Sequence, residues 1–164
     1  MEVFIVRHGI AEDMSRSRQD KDRALTEDGK QRMKEAARGF RHLQHEVGRI
    51  FTSPLVRARQ TAEILGTHLK KKVEDMKELA PGNDAAAVCK QLKTLGKVQS
   101  VMVVGHEPNC SDLVSYLLDT PHAVETDFKK GAICLIETDS LDAGSGRLIW
   151  HLPPKALRLI KGKS

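Results

Sequence analysis

Two histidines and two arginines stand out because each falls where an apolar run gives way to polar sequence. Arg7-His8-Gly9 follows Val3-Phe4-Ile5-Val6, and Gly105-His106-Glu107-Pro108 follows Val101-Met102-Val103-Val104. Between them, Ser53-Pro54-Leu55-Val56-Arg57-Ala58 follows Arg49-Ile50-Phe51-Thr52. These residue types suit a phosphoryl group. Guanidinium groups neutralise its charge with forked donors that match its oxygens. A neutral imidazole can attack phosphorus and form a covalent intermediate. A second imidazole can donate to a phosphoryl oxygen as charge develops. Two nearby arginines disfavour imidazolium at His8, which keeps it nucleophilic. Gly9 removes a side chain where backbone and ligand would approach closely. Singly, an Arg-His-Gly triplet, a Ser-Pro helix start and a Gly-His turn are weak signals. Jointly, each at the end of an apolar run and in this order, they carry the reading.

Convergence of these groups requires a particular scaffold. Val3–Val6 and Val101–Val104 read as strands buried on both faces. Arg49–Thr52 reads as a further strand, and Lys72–Met76 as a weaker one. A polar loop, Ala11–Arg23, precedes a helix capped by Thr26, with Glu27 and Asp28 in its first turn. Met33, Ala36, Ala37, Phe40 and Leu43 share one face of that helix. Ser53-Pro54 signals a second helix start, with Leu55, Ala58, Ala62, Leu65 and Leu69 as its buried face. Helical side chains lean toward the N-terminus, so Arg57 can reach back to the strand ends. Pro81-Gly82-Asn83 reads as a turn. Asn83 would cap a helix carrying Val88, Leu92 and Leu95, which Gly96 would end. A fourth helix carries Leu113, Val114, Leu117 and Leu118. Ala132–Glu137 and Arg147–Leu152 read as an antiparallel pair joined through Gly144-Ser145-Gly146. The alternation predicts one α/β domain over residues 1–164. The architecture expected is a three-layer sandwich, with a mostly parallel central sheet and helices on both faces. Ligands bind such sheets at the carboxyl ends of the strands.

Composition narrows the function classes. The chain has 164 residues, of which 40% are hydrophobic, which fits one globular domain and excludes disorder. No apolar stretch approaches the roughly 20 residues needed to cross a bilayer. The N-terminus lacks the features of a signal peptide, so a cytoplasmic location and no membrane partner are expected. Lys+Arg is 27 against 22 Asp+Glu, a net charge of +5 that suits an anionic ligand. The positives are scattered, densest at Lys70-Lys71-Lys72, and aromatics are few, so nucleic acid is not the expected partner. Cys89, Cys110 and Cys134 are too dispersed for a disulfide framework or a zinc site and read as buried fillers. Cys110, near a helix start, could have a lowered pKa. His42, His45, His68, His122 and His151 read as solvated, and no metal-ligand spacing is present.

The sequence resembles the histidine phosphatase superfamily, which includes the cofactor-dependent phosphoglycerate mutases. Within it the chain is similar to the small SixA-type phosphohistidine phosphatases. The resemblance rests on Val6-Arg7-His8-Gly9-Ile10-Ala11-Glu12, Arg23-Ala24-Leu25-Thr26-Glu27-Asp28-Gly29, Thr52–Ala62, Val104-Gly105-His106-Glu107-Pro108 and Trp150-His151-Leu152-Pro153-Pro154. It implies a phosphoglycerate mutase-like fold and a reaction that needs no metal or other cofactor. It implies that His8 is phosphorylated and that Arg7, Arg57 and His106 form the catalytic phosphate pocket. Arg59 receives no catalytic role. In mutase-like members a glutamate protonates the leaving group, but the corresponding position here is Pro81. In other branches the acid directly follows the second histidine, which makes Glu107 either a proton donor or simply a helix-start residue. An alkoxide leaving group needs such an acid. Phosphohistidine needs it less, because its imidazole, with an ordinary pKa of about 6.5, can leave already protonated. The expected function is therefore a metal-independent protein phosphohistidine phosphatase in signal transduction. It would act as a monomer on a phosphohistidine-bearing protein such as a phosphorelay domain. The alternatives are a metabolite phosphomonoesterase of the same superfamily and a non-catalytic phosphoprotein-binding module. Between Leu79 and Val101 there is room for a turn and one helix of about three turns. The Ala11–Arg23 loop is too polar for an apolar lid, so an open rim is expected.

Overall fold

The computed structural model describes residues 1–16, 19–119 and 126–162. Six strands form one sheet: β1 (Glu2–Arg7), β2 (Arg49–Thr52), β3 (Val73–Asp75), β4 (Ser100–Gly105), β5 (Ile133–Thr138) and β6 (Gly146–Leu152). Their order is β3-β2-β4-β1-β5-β6. The first four are mutually parallel, β5 runs antiparallel to β1, and β6 antiparallel to β5. Among the described residues, five α-helices connect or follow the strands: α1 (Glu27–His42), α2 (Val56–Leu69), α3 (Ala85–Lys93), α4 (Asn109–Leu118) and α5 (Pro154–Leu159).

The period of two along each strand divides the core into two layers. Val3, Ile5, Val101 and Val103 face α3 and α4, packing with Val88, Leu92, Leu113 and Leu117. Phe4, Val6, Met102 and Val104 face α1, α2 and α5, packing with Met33, Phe40, Ala62 and Leu157. The uninterrupted apolar runs of β1 and β4 follow from this burial on both faces. Close helix packing on the second face depends on Gly39, where a Cβ would come within 1.7 Å of the Leu157 carbonyl oxygen.

Thr26 caps α1 as its sequence predicts, its hydroxyl accepting from the Gly29 N–H at 2.9 Å. Other helix boundaries differ. α2 begins at Val56, with Leu55 as an N-cap that supplies no side-chain bond, so Ser53 is not its cap. α3 is capped by Asp84, which accepts from the Ala87 N–H at 2.7 Å. Asn83 instead donates to the carbonyls of Lys77 and Ala80. α3 ends at Lys93, before the left-handed Gly96 (φ 71°), and Leu95 lies beyond it. α5 was not marked by any sequence period. At six residues it is too short for one.

Burial bears out some expectations and corrects others. All three cysteines are free and buried. Burial pushes the Cys89 thiol up to about 11 and Cys134 to about 12, and it raises Cys110 as well, so the helix start does not activate Cys110. His42 is exposed, but His45 is half-buried beyond α1. Its Nδ1 lies 3.2 Å from a Glu2 carboxylate oxygen, and its ring sits 5.3 Å from that of Phe4. His151 packs 4.6 Å from the Phe128 ring, and burial lowers its pKa. His68 Nδ1 lies 2.9 Å from the Ile64 carbonyl oxygen. His122 lies outside the described residues. Among the described residues, no helix is long and apolar enough to cross a membrane.

Candidate active site

Sheet register brings the two histidines together. Arg7 pairs with Gly105 at the ends of β1 and β4, so His8 and His106 leave adjacent parallel strands side by side. The His8 N–H donates to the Gly105 carbonyl at 3.0 Å, and the two imidazole centroids are 5.1 Å apart. On the other side of β4, Thr52 pairs with Val104, and the Ser53 N–H continues the ladder to the Val104 carbonyl at 2.9 Å. Three strand ends thus meet at one rim.

His8 is 6% exposed and its tautomer is set by its neighbour. Nδ1 lies 2.7 Å from the Gly9 carbonyl oxygen, which can only accept, so Nδ1 carries the proton. Nε2 keeps its lone pair and accepts from Arg57 Nε–H at 3.3 Å. Burial lowers the His8 pKa to about 3, against its hydrogen bond to the Gly9 carbonyl, and the proximity of His106, Arg57 and Arg7 lowers it further. Burial similarly lowers His106 to about 4, with Arg57 contributing. Both imidazoles are neutral near pH 7.

The remaining groups are fixed by contacts across the fold. His106 is 2% exposed, its Nε2 lies 2.8 Å from Ser53 Oγ, and its buried Nδ1 has no partner among the described residues. Ser53 thus serves the site through its hydroxyl, which also accepts from the Leu55 N–H at 3.3 Å. Arg7 is half-buried and donates from Nη1 to the Phe128 carbonyl at 2.6 Å, while its buried Nε has no partner among the described residues. Arg57, 5% exposed, sits in the first turn of α2 and directs its guanidinium to His8 and to Asp20. Arg59 turns away, pairing with Asp75.

Gly9 has a different reason from the one expected. A Cβ there would meet Met33 Cγ at 2.7 Å and Leu25 Cδ2 at 3.3 Å, so the close approach is to the core. Its backbone serves the site instead. Its carbonyl accepts from His8, and its N–H donates to Thr61 Oγ1 at 3.0 Å. Thr61 in turn donates to the Arg57 carbonyl at 2.7 Å, tying β1 to α2. Glu107 is half-buried beside His106, and both its carboxylate oxygens lie near Ser111 Oγ, at 3.0 and 2.9 Å. Burial raises its pKa, against the Ser111 hydrogen bond.

Two participants escaped the reading of the sequence. Thr61 had a signal, since it lies one helical turn beyond Arg57 and on the same face. Asp20, whose backbone oxygen and carboxylate both bind Arg57, had none within its polar loop. A hollow of about 630 Å³ lies at the opposite, amino end of the strands, bordered by Met1, Gly48, Gln99 and Ser100, and includes none of these groups.

The same arrangement places the chain among known proteins. Residues 3–81 match the profile of the Histidine phosphatase superfamily (branch 1). The chain is 33% identical over 165 residues to the phosphohistidine phosphatase SixA of Escherichia coli, covering 98% of this chain and 99% of that protein. It is 34% identical over 128 residues to a SixA homolog of Haemophilus influenzae, covering 71% of this chain and 77% of that one. A solved structure of the protein histidine phosphatase SixA with tungstate superposes with a TM-score of 0.84 at 32% identity, covering 96% of this chain and 99% of that one. Shared sequence over nearly its whole length, and the shared fold, establish that the chain belongs to the histidine phosphatase superfamily.

Proposed function

We propose that the chain is a protein phosphohistidine phosphatase working through a phosphohistidyl intermediate on His8. The observation that carries this reading is the orientation of His8. Its Nδ1–H is committed to the Gly9 carbonyl, and its unprotonated Nε2 faces Arg57. In the first step Nε2 attacks phosphorus and the substrate P–N bond breaks, its imidazole leaving with a proton. In the second step water attacks phosphorus, the His8 P–N bond breaks, and inorganic phosphate departs. Arg7, Arg57 and His106 stabilise the charge on the phosphoryl oxygens in both steps. Glu107, with its raised pKa, is the acid available where a leaving group needs one.

Two features favour a protein-borne phosphohistidine over a sugar phosphate. The relatives named for phosphohistidine match over most or all of the chain. The segment where a covering insertion would stand holds only a short turn and the nine residues of α3. A small metabolite would find few remote contacts from which to lower its barrier. A folded partner, such as a phosphorelay domain in the cytoplasm, can spread its contacts over the surrounding surface of a single monomeric domain.

The test is turnover by the purified chain on a histidine-phosphorylated protein, free phosphohistidine and sugar phosphates, at rising salt. The reading requires the highest kcat/KM for the protein substrate, falling as salt screens the charges. Equal or better efficiency on a metabolite, with no salt effect, would favour the phosphomonoesterase alternative. Phosphoprotein binding without turnover would favour the binding module.

A further inference from the structure

A guanidinium carries five N–H donors in one rigid plane, so its use in phosphoryl transfer depends on which edge faces the nucleophile. Three contacts fix that edge at Arg57. Its Nε–H points to His8 Nε2 at 3.3 Å. Its Nη1 donates to the backbone oxygen of Asp20 at 2.7 Å, and its Nη2 donates to Asp20 Oδ2 at 2.9 Å. One residue of the loop between β1 and α1 therefore takes both terminal nitrogens and leaves the Nε edge turned toward His8.

Asp20 is itself held. Its Oδ1 accepts from Arg23 Nη1 at 3.0 Å, and Arg23 Nε donates to the Glu12 carbonyl at 2.6 Å. The loop is closed below by the bridge between Ala11 and Leu25, whose N–H also donates to Gln60 Oε1 at 2.7 Å. Burial opposes ionisation of Asp20, but the hydrogen bonds from Arg23 and Arg57 outweigh it and hold the carboxyl below its ordinary value.

We infer that Asp20 is a positioning residue for phosphoryl transfer: it grips the outer end of Arg57 so that the Nε edge is already aimed at a phosphoryl group arriving on His8 Nε2. The inference rests on the phosphatase reading above. A carboxylate competing with substrate for Arg57 would instead take the Nε edge beside His8. The contacts of Asp20 lie at the other end of the guanidinium. Preset geometry of this kind matters because a misplacement of about 1 Å can cost about 10²-fold in rate.

The experiment compares Asp20→Ala, Asp20→Asn and Arg23→Ala with the wild type. It reads kcat and KM on a histidine-phosphorylated protein, thermal unfolding, inorganic phosphate binding and the NMR signal of the Arg57 Nε–H. Asp20→Ala is expected to lower kcat by about 10- to 100-fold with little change in KM, and to move or broaden the Nε–H signal. Asp20→Asn keeps an acceptor for Nη2 but loses the charge that holds both arginines, so its loss should be smaller. Arg23→Ala should lie between Asp20→Asn and the wild type. Wild-type kcat in Asp20→Ala would overturn the inference, as would tighter phosphate binding with a higher kcat/KM. Should Asp20→Ala unfold, Asp20→Asn decides by the same readings. A wild type without turnover would overturn the phosphatase reading. An Nε–H signal unchanged in the Asp20 variants would overturn the grip on Arg57 whether or not the wild type turns over.

Discussion

Burying two neutral histidines side by side has a measurable cost in acid. His8 and His106 titrate near 3 and 4 in the folded chain, both lowered chiefly by burial. In the unfolded chain each returns to about 6.5. Below that value the unfolded state binds protons that the folded state refuses, so stability falls as pH drops from about 6.5 toward the folded pKa values. At pH 4.5 each histidine lies about two units below its unfolded pKa. At about 1.4 kcal/mol per unit, each withdraws roughly 3 kcal/mol, a large part of the 5–15 kcal/mol that holds a typical domain. The perturbation is His8→Asn, whose amide can still donate to the Gly9 carbonyl, and His106→Gln, whose amide can still reach Ser53. Urea unfolding at pH 7 and pH 4.5 gives the stability lost on acidification for each protein. Each variant should lose less than the wild type, by about 3 kcal/mol, whatever its stability at pH 7. Parallel losses in wild type and variants would refute the reasoning, because they would mean that the histidines are not held neutral by burial.

Other outcomes follow from the same contacts. Arg57→Ala should lower kcat/KM by about 10² or more, and Arg57→Lys should recover only part of it, since a point charge cannot replace a fork; steady-state assays decide this. Thr61→Val strands the Gly9 N–H and the bond to the Arg57 carbonyl, and should cost about 1–3 kcal/mol in urea unfolding. Glu107→Gln should slow hydrolysis of an alkyl phosphate more than that of phosphohistidine, because only the alkoxide needs an acid; a paired rate comparison reads this directly.

The scaffold was legible where one residue's environment dictates its type. β1 and β4 are apolar without interruption because both faces are covered, and that pattern alone located His8 and His106 at strand ends. Their adjacency needed only the parallel register that puts Arg7 beside Gly105. Positions with two competing uses were harder. Ser53-Pro54 carries the residue pattern of a helix start, yet the hydroxyl goes to His106 and the helix waits for Val56. Gly9 does sit at a close approach, but Met33 rather than a ligand occupies the space. Asp20 was invisible because its partner is 37 residues away and its loop has no period to read. Cys110 shows a local effect overruled, since burial outweighs the start of α4.

The central claim is that phosphate passes through Nε2 of His8. Rapid quenching of turnover on a histidine-phosphorylated protein carrying radiolabelled phosphate, followed by peptide mapping, addresses it directly. The account predicts one labelled enzyme peptide, containing His8, with an adduct that is acid-labile and alkali-stable as a P–N bond is. His8→Ala should abolish both label and turnover. Label on Ser53 or Cys110, with His8→Ala still active, would contradict it.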